Sequence, residues 1–447
     1  MTTPQAAISS ARPRTFILVP AAALQLCVGI LYMWSVFQPH VVRHFGWDFQ
    51  VTAGTSSIML FAFVAGTLAG GFLLDRSGTR PVVTLGSLVF SAGILATSFL
   101  GSREPRLIHL TYGLVAGTGT GLVYGGVVSC VQRWYPRRRG FAAGVAAGAF
   151  GFSVVILSPL AETLVGAIGL PRTFRLLGMV FLAITLTASR FISDPPETAA
   201  PKAEPARDGR PGRPVSGGAS EAEPVGGPGG AASAEKAPAG ARQYRPREVL
   251  ASPIFWCVFL CLFFEVAAWV VILPIIKTLA LARGMSRELA LAAVMVTGIA
   301  NASGRVASAW ISDRIGRGRT VVLLCLITCG ASLWLVGAAG IPYVVAVFLV
   351  AFAYGGPSGV FPPLVREVFG EKHAGTNFGM VLMALGCSSL VFSRVSGILS
   401  AGAASSGDYS ASFFLTAALG AAAAACMLAA EKLWAVDGEQ GTVNSEE

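Results

Sequence analysis

Predominantly apolar runs of roughly 18–25 residues, each long enough to cross a bilayer as a helix, recur twelve times along this chain. They fall near 15–38, 52–74, 81–100, 107–130, 141–164 and 173–192, and resume near 254–276, 289–312, 320–339, 342–364, 376–400 and 410–431. Only 13% of the residues are charged, against about 25% in soluble domains. The runs therefore read as spans of a polytopic membrane protein rather than as pieces of a large soluble core. Arg12 and Arg14 precede the first run in the manner of a signal peptide. That run is too long for a signal, lacks a clear cleavage site and is followed by many similar runs, so it reads as span one.

The spans group as six plus six. Between them Ser193–Arg247 is rich in Pro, Gly, Ala, Glu and Arg and contains no Ile, Leu, Phe, Met or Trp, too little apolar surface to fold. The expected organisation is a six-helix half over 1–192, a disordered cytoplasmic linker over 193–247, a second six-helix half over 248–435 and a disordered tail over 436–447. Of the 33 Lys and Arg residues, 23 fall in the N-tail, the linker, the C-tail and alternate loops, and eight in the remaining loops. The positive-inside rule then puts both termini and the linker in the cytoplasm. A net charge of +10 does not indicate nucleic acid, because the arginines sit in short loops rather than on one basic face. Arginine far outnumbers lysine, which points to a GC-rich bacterial genome and hence to the bacterial inner membrane.

The halves repeat one another. Gly71-Phe-Leu-Leu-Asp75-Arg76-Ser-Gly78 follows span two, and Ala309-Trp-Ile-Ser-Asp313-Arg314-Ile-Gly316 follows span eight, 238 residues later. Arg133-Trp-Tyr-Pro follows span four and Arg366-Glu-Val-Phe follows span ten. Repeated six-span halves are the architecture of a rocking transporter with a site near the midplane. In the Asp-Arg-x-Gly loops glycine permits the tight reversal. Asp75, Arg76, Asp313 and Arg314 are gating candidates, because an Asp at a helix end can pair with an Arg or a helix N-terminus in one state and release it in the other. Four-spaced glycines (Gly113, Gly117, Gly121 and Gly125; Gly140, Gly144 and Gly148; Gly66 and Gly70) mark close helix approaches.

Span eight carries Thr297, Asn301 and Arg305 at four-residue spacing in an otherwise small and apolar helix. A mid-bilayer arginine costs about 2.5–3.5 kcal/mol on insertion scales, so it faces a bundle interior or a wet cavity. Arg305 is the candidate anion-binding residue, with Asn301 one turn away. Its guanidinium matches a carboxylate bidentately. Glu265, near mid-depth of span seven, needs a proton or a cationic partner. It is the proton-coupling candidate, or alternatively balances Arg305 or Arg394 when the site is empty. Arg394, near the outer end of span eleven, is either a site residue or a snorkelling one. Five of the eight cysteines lie well inside apolar runs, and the pairs Cys257–Cys261 and Cys325–Cys329 have no accompanying histidine, so no metal site and no cofactor is expected. No nucleophile–base pair or phosphate loop points to an enzyme.

The Asp-Arg-x-Gly repeat, the two halves and the linker resemble the major facilitator superfamily. That resemblance implies an all-α membrane protein with twelve transmembrane helices in two pseudo-symmetric six-helix halves. Leu24–Phe37, Tyr124-Gly125-Gly126, Arg133-Trp134-Tyr135-Pro136, Pro253-Ile-Phe255-Trp256 and Asn301-Ala-Ser-Gly304-Arg305 resemble the oxalate/formate antiporter and bacterial monocarboxylate transporter branch. In that branch the arginine matching Arg305 binds the substrate carboxylate. The resemblance further implies that Asn301, Tyr124, Tyr354 and Cys387 line the same cavity, and adds Tyr32 in the span-one segment. A lysine shared by the oxalate exchangers falls at Leu385 here, which favours one carboxylate over two.

The expected function is alternating-access transport of a small monocarboxylate such as lactate, pyruvate or formate, as a proton symporter working as a monomer in the lipid bilayer. The alternative is oxalate/formate-type anion exchange.

Overall fold

The computed structural model describes residues 17–47, 49–195, 243–406 and 408–443, and among them the regular structure is helical throughout. Span one is Leu18–Val28, a tighter 3₁₀ stretch Gly29–Met33, and Trp34–Phe45; span two is Phe49–Ser77 and span three Thr79–Thr97. Span four opens with a π-helical turn, His109–Val115, and continues as Ala116–Trp134. Spans five and six are Arg139–Ile168 and Leu170–Ser189. In the second half, span seven comprises Pro253–Ile272, a 3₁₀ turn Leu273–Ile275 and Ile276–Ala282; spans eight and nine are Arg287–Ile315 and Arg317–Leu335. Span ten is Gly340–Gly355 followed by Pro357–Phe369, and spans eleven and twelve are Ala374–Ser406 and Ser410–Val443. Eleven of these are long and apolar enough to cross a membrane, and the broken span one, bent by 55°, completes twelve.

The breaks have local causes. Pro357 has no N–H to give and its ring crowds the carbonyl four residues back, so span ten divides after Gly355. Gly78 and Gly316, the glycines of the repeated loops, have φ of +78° and +95°, where a Cβ would be strained. Each lets a long span reverse directly into the next.

The expected linker lies mostly outside the described residues, but its two ends are structured. Pro246–Ala251 forms a short helix, started by Pro246 and by Glu248 accepting the Arg245 N–H at 2.8 Å. Span twelve likewise runs past Ala435 to Val443, into the tail expected to be disordered. Extending an existing helix needs little beyond one more bond per residue.

Span two packs against span eleven, and span five against span eight, so each half offers the same pair of helices to the other. The Gly140, Gly144 and Gly148 row lies in this seam: a Cβ on Gly144 would sit 2.5 Å from the Ala309 Cβ and 2.8 Å from the Arg305 carbonyl. The span-four row does not. Gly117 and Gly121 press on the Met59 and Phe63 carbonyls of span two, inside their own half, where they allow tight packing rather than movement between halves.

Asp194 closes the first half. Its carboxylate accepts the Thr79 N–H at 2.9 Å and hydroxyl at 2.6 Å, capping span three, and Arg133 reaches it at 2.7 Å. Partial burial pushes the Asp194 carboxyl up, but the Thr79 hydroxyl, the Thr79 N–H and Arg133 outweigh it and hold the group below the ordinary aspartate value. A depressed folded-state pKa contributes stability above the unfolded value, lost as the pH falls through it. Asp194→Asn is expected to lower the Tm at pH 7, with the gap to wild type closing below about pH 4. Thermal melts in detergent across that range check it, and a gap that persists in acid would assign the loss to shape rather than charge.

Candidate functional site

Span eight delivers Arg305 to the middle of the seam, where the side chain is only 2% exposed. Its Nε donates to Asn301 Oδ1 at 2.8 Å, one turn back on the same helix. Its Nη1 donates to the Ala147 carbonyl of span five at 3.1 Å, and its Nη2 to the Tyr32 hydroxyl of span one at 2.9 Å. The last two bonds reach into the opposite half. The 3₁₀ stretch of span one positions Tyr32 for this contact. The rings of Tyr32 and Phe150 flank the guanidinium, with centroids 5.9 and 5.7 Å from its carbon, a range in which cation–π attraction operates. Arginine has five N–H donors; three are engaged, leaving one on each terminal nitrogen, the pair that can take a carboxylate as a fork.

These groups border a cavity of about 30 Å³. That is room for a water or two and less than a three-carbon acid requires. The polar lining is Tyr32, Tyr124, Arg305, Tyr354 and Ser358, and the remainder is apolar, with Phe63, Phe150, Phe361 and Phe378 beside aliphatic side chains such as Leu382 and Leu385. Arg305 is the one charged residue among the described residues that line it. Tyr124 packs edge-on to Phe63 and tilted to Phe150 at 5.2 and 5.1 Å, and Ser358 of span ten comes within reach of its hydroxyl. Tyr354 stacks on Trp269 at 5.0 Å.

Arg305, Tyr32, Tyr124 and Tyr354 are thus brought together, and two expected residues are placed otherwise. Asn301 is half-buried, does not border the cavity, and spends its oxygen on Arg305; it orients the arginine. Cys387 is exposed. Leu382 and Leu385 take the lining positions on span eleven, and at 100° per residue a side chain two places past Leu385 turns to the far side. Arg394 shares that outer strip with Cys387, Leu390, Val391 and Ile398 and is exposed. Sequence reasoning missed Ser358, Phe63 and Phe150. The Gly355-Gly356-Pro357 break in mid-span is the signal by which Ser358 could have been found.

Glu265 is 1% exposed. Its Oε1 accepts from the Thr328 hydroxyl of span nine at 3.0 Å, and its Oε2 has no partner. It pairs with neither Arg305 nor Arg394, nor with any other basic group among the described residues, contrary to the ion-pair expectation. Its helix neighbours Leu262 and Val266 line the cavity and it does not.

At the end of the bundle that carries the repeated loops, the halves are clasped. Asp313 accepts the backbone N–H groups of Gly140 and Phe141 at 3.0 and 2.8 Å, capping span five of the other half. Asp75 accepts the Thr376 hydroxyl at 2.7 Å and its N–H at 3.4 Å, capping span eleven. Arg139 pairs with Glu371 across the same seam. Arg76 and Arg314 do not share in this. Both are exposed, and Arg314 lies over the Trp310 ring at 3.5 Å, because the position after each capping Asp is rotated about 100° away. Arg317 does the pairing instead, with Asp313 at 2.6 Å and Glu367 at 3.1 Å.

Residues 21–393 and 258–443 match the family profile of the Major Facilitator Superfamily. The chain is 24% identical over 388 residues to the uncharacterized MFS-type transporter YhjX of Escherichia coli, covering 85% of this chain and 86% of that protein. It is 23% identical over 420 residues to the oxalate:formate antiporter of Oxalobacter formigenes, covering 90% and 88%. It is also 33% identical over 171 residues to monocarboxylate transporter 11 of Mus musculus, covering 38% of each. The fold is similar to that of FucP in its outward conformation (TM-score 0.67, 14% identity, 92% of this chain and 98% of that one).

Proposed function

The chain belongs to the Major Facilitator Superfamily, as a multi-pass membrane transporter, and on that premise we propose that it carries a small monocarboxylate anion by alternating access. The observation that carries this reading is Arg305: a buried guanidinium with no carboxylate partner among the described residues, two N–H groups to spare and a cavity beside it. A buried unpaired charge is costly, and an anionic substrate supplies the missing partner. Leu385 and the aromatic walls offer no second cation, which suits one carboxylate with a short apolar remainder such as lactate, pyruvate or formate. Tyr32 and Tyr124 from one half and Tyr354 from the other close on the ligand, so that its binding couples the halves. Asp75, Asp313 and the Arg139–Glu371 pair form the inner gate, closed here, so the site opens outward. The protein acts as a monomer in the bacterial inner membrane, with both termini and the 193–247 linker cytoplasmic.

The coupling is proton symport. The 90% coverage against an oxalate:formate antiporter favours exchange as the second reading, although the apolar Leu385 stands against a dianion. Counterflow of labelled lactate, formate and oxalate in proteoliposomes tests the substrate class. Lactate and formate are expected to exchange and oxalate to compete at least tenfold more weakly; oxalate as the preferred substrate would overturn the assignment.

A further inference from the structure

The Glu265 acid does not border the cavity, yet it is the most deeply buried carboxyl among the described residues of the second half. It lies in a seam of spans seven, nine and twelve. Thr328 donates to Oε1 at 3.0 Å, and the Cys325 thiol of span nine and the Cys261 thiol of its own helix lie beside it. Cys426 of span twelve lies near Cys261 and Cys257. The span-eleven hydroxyl nearby, that of Ser388, is committed to the Phe263 carbonyl at 2.7 Å. Tyr354 of span ten is separated from Glu265 by Trp269, one turn up span seven, on which it stacks. None of these groups is a cation. A bare carboxylate here has no cation in contact with it among the described residues, and Oε2, the oxygen without a partner there, is the one left to take a proton.

We infer that Glu265 is the binding site of the co-transported proton, a site separate from the substrate cavity and walled from it by Leu262 and Val266. The inference rests on the monocarboxylate-carrier reading above. Its logic is charge balance in a low-dielectric bundle. With substrate bound, the carboxylate neutralises Arg305 while Glu265 carries its proton on Oε2. After substrate and proton leave to the cytoplasm, ionised Glu265 compensates Arg305 on the return, so each form that crosses is neutral at its core. No direct bond between the two groups is needed. The proton joins and leaves one carboxyl oxygen, and no other bond changes.

The test uses the full chain in proteoliposomes with labelled lactate. Counterflow is measured at equal pH, and accumulation with the outside one pH unit more acid. Wild type is expected to counterflow and to accumulate lactate about tenfold, the limit for one proton per anion at that gradient. Glu265→Gln is expected to keep counterflow and lose accumulation, and Glu265→Asp to recover part of it. Accumulation by Glu265→Gln equal to wild type would overturn the proton site, as would loss of counterflow and accumulation together, which marks a structural acid. Wild type that counterflows without accumulating leaves the carrier reading standing and removes this one. Wild type with no carboxylate counterflow removes the carrier reading itself.

Discussion

Arg305→Ala is expected to lower carboxylate counterflow by at least about thirtyfold, while the protein still inserts and keeps its helical content. Truncating one partner of a buried charge pair costs about 2–5 kcal/mol, and each 1.4 kcal/mol is tenfold. The variant also removes the three bonds by which Arg305 holds Asn301, the Ala147 carbonyl and Tyr32, so the two halves lose a link at mid-depth. Arg305→Lys separates charge from geometry. Lysine keeps the positive charge but offers three donors from one point rather than a planar fork, and cannot serve Asn301, Ala147, Tyr32 and both substrate oxygens together. It is expected to retain a few per cent of the wild-type rate with a raised half-saturating concentration. Uptake retained by Arg305→Ala would place the anion elsewhere and dissolve the proposed site.

The parts of this architecture legible in the sequence were those in which one residue breaks a strong local expectation. A guanidinium in an apolar run has few places to go, so Arg305 stood out without any structure. The two Asp-Arg-x-Gly loops did so because they recur at a fixed offset, and their glycines do adopt positive φ. What stayed hidden depended on rotation about a helix or on partners far apart in the chain. Asn301 was found by spacing, but nothing in spacing tells whether its oxygen faces a ligand or the arginine. Cys387 was placed by similarity and lies two residues from the lining Leu385, enough to turn it to the opposite face. Arg139 and Glu371 are 232 positions apart, and only the docking of the halves pairs them. Glu265 was visible as a buried acid, whereas the lack of a cation against it among the described residues was not.

The gate is pseudo-symmetric in sequence but unequal in its bonds, and that inequality predicts unequal variants. Asp313 satisfies two backbone N–H groups at the start of span five, both at 3.0 Å or less, and is braced by Arg317. Asp75 holds one hydroxyl closely and one N–H at 3.4 Å. Loss of a helix N-cap costs about 0.5–2 kcal/mol, and the charge adds to it through the helix dipole. Asp313→Ala should therefore shift the population toward the state with this end open by about 2 kcal/mol, roughly thirtyfold. Asp75→Ala, which gives up one good hydrogen bond worth about 1 kcal/mol, should shift it roughly fivefold. Spin-label distances across the seam between spans two and eleven, and between spans five and eight, read both populations. Equal shifts would mean that the two caps contribute alike despite their geometry. No shift in either variant would move the lock to Arg139–Glu371 alone.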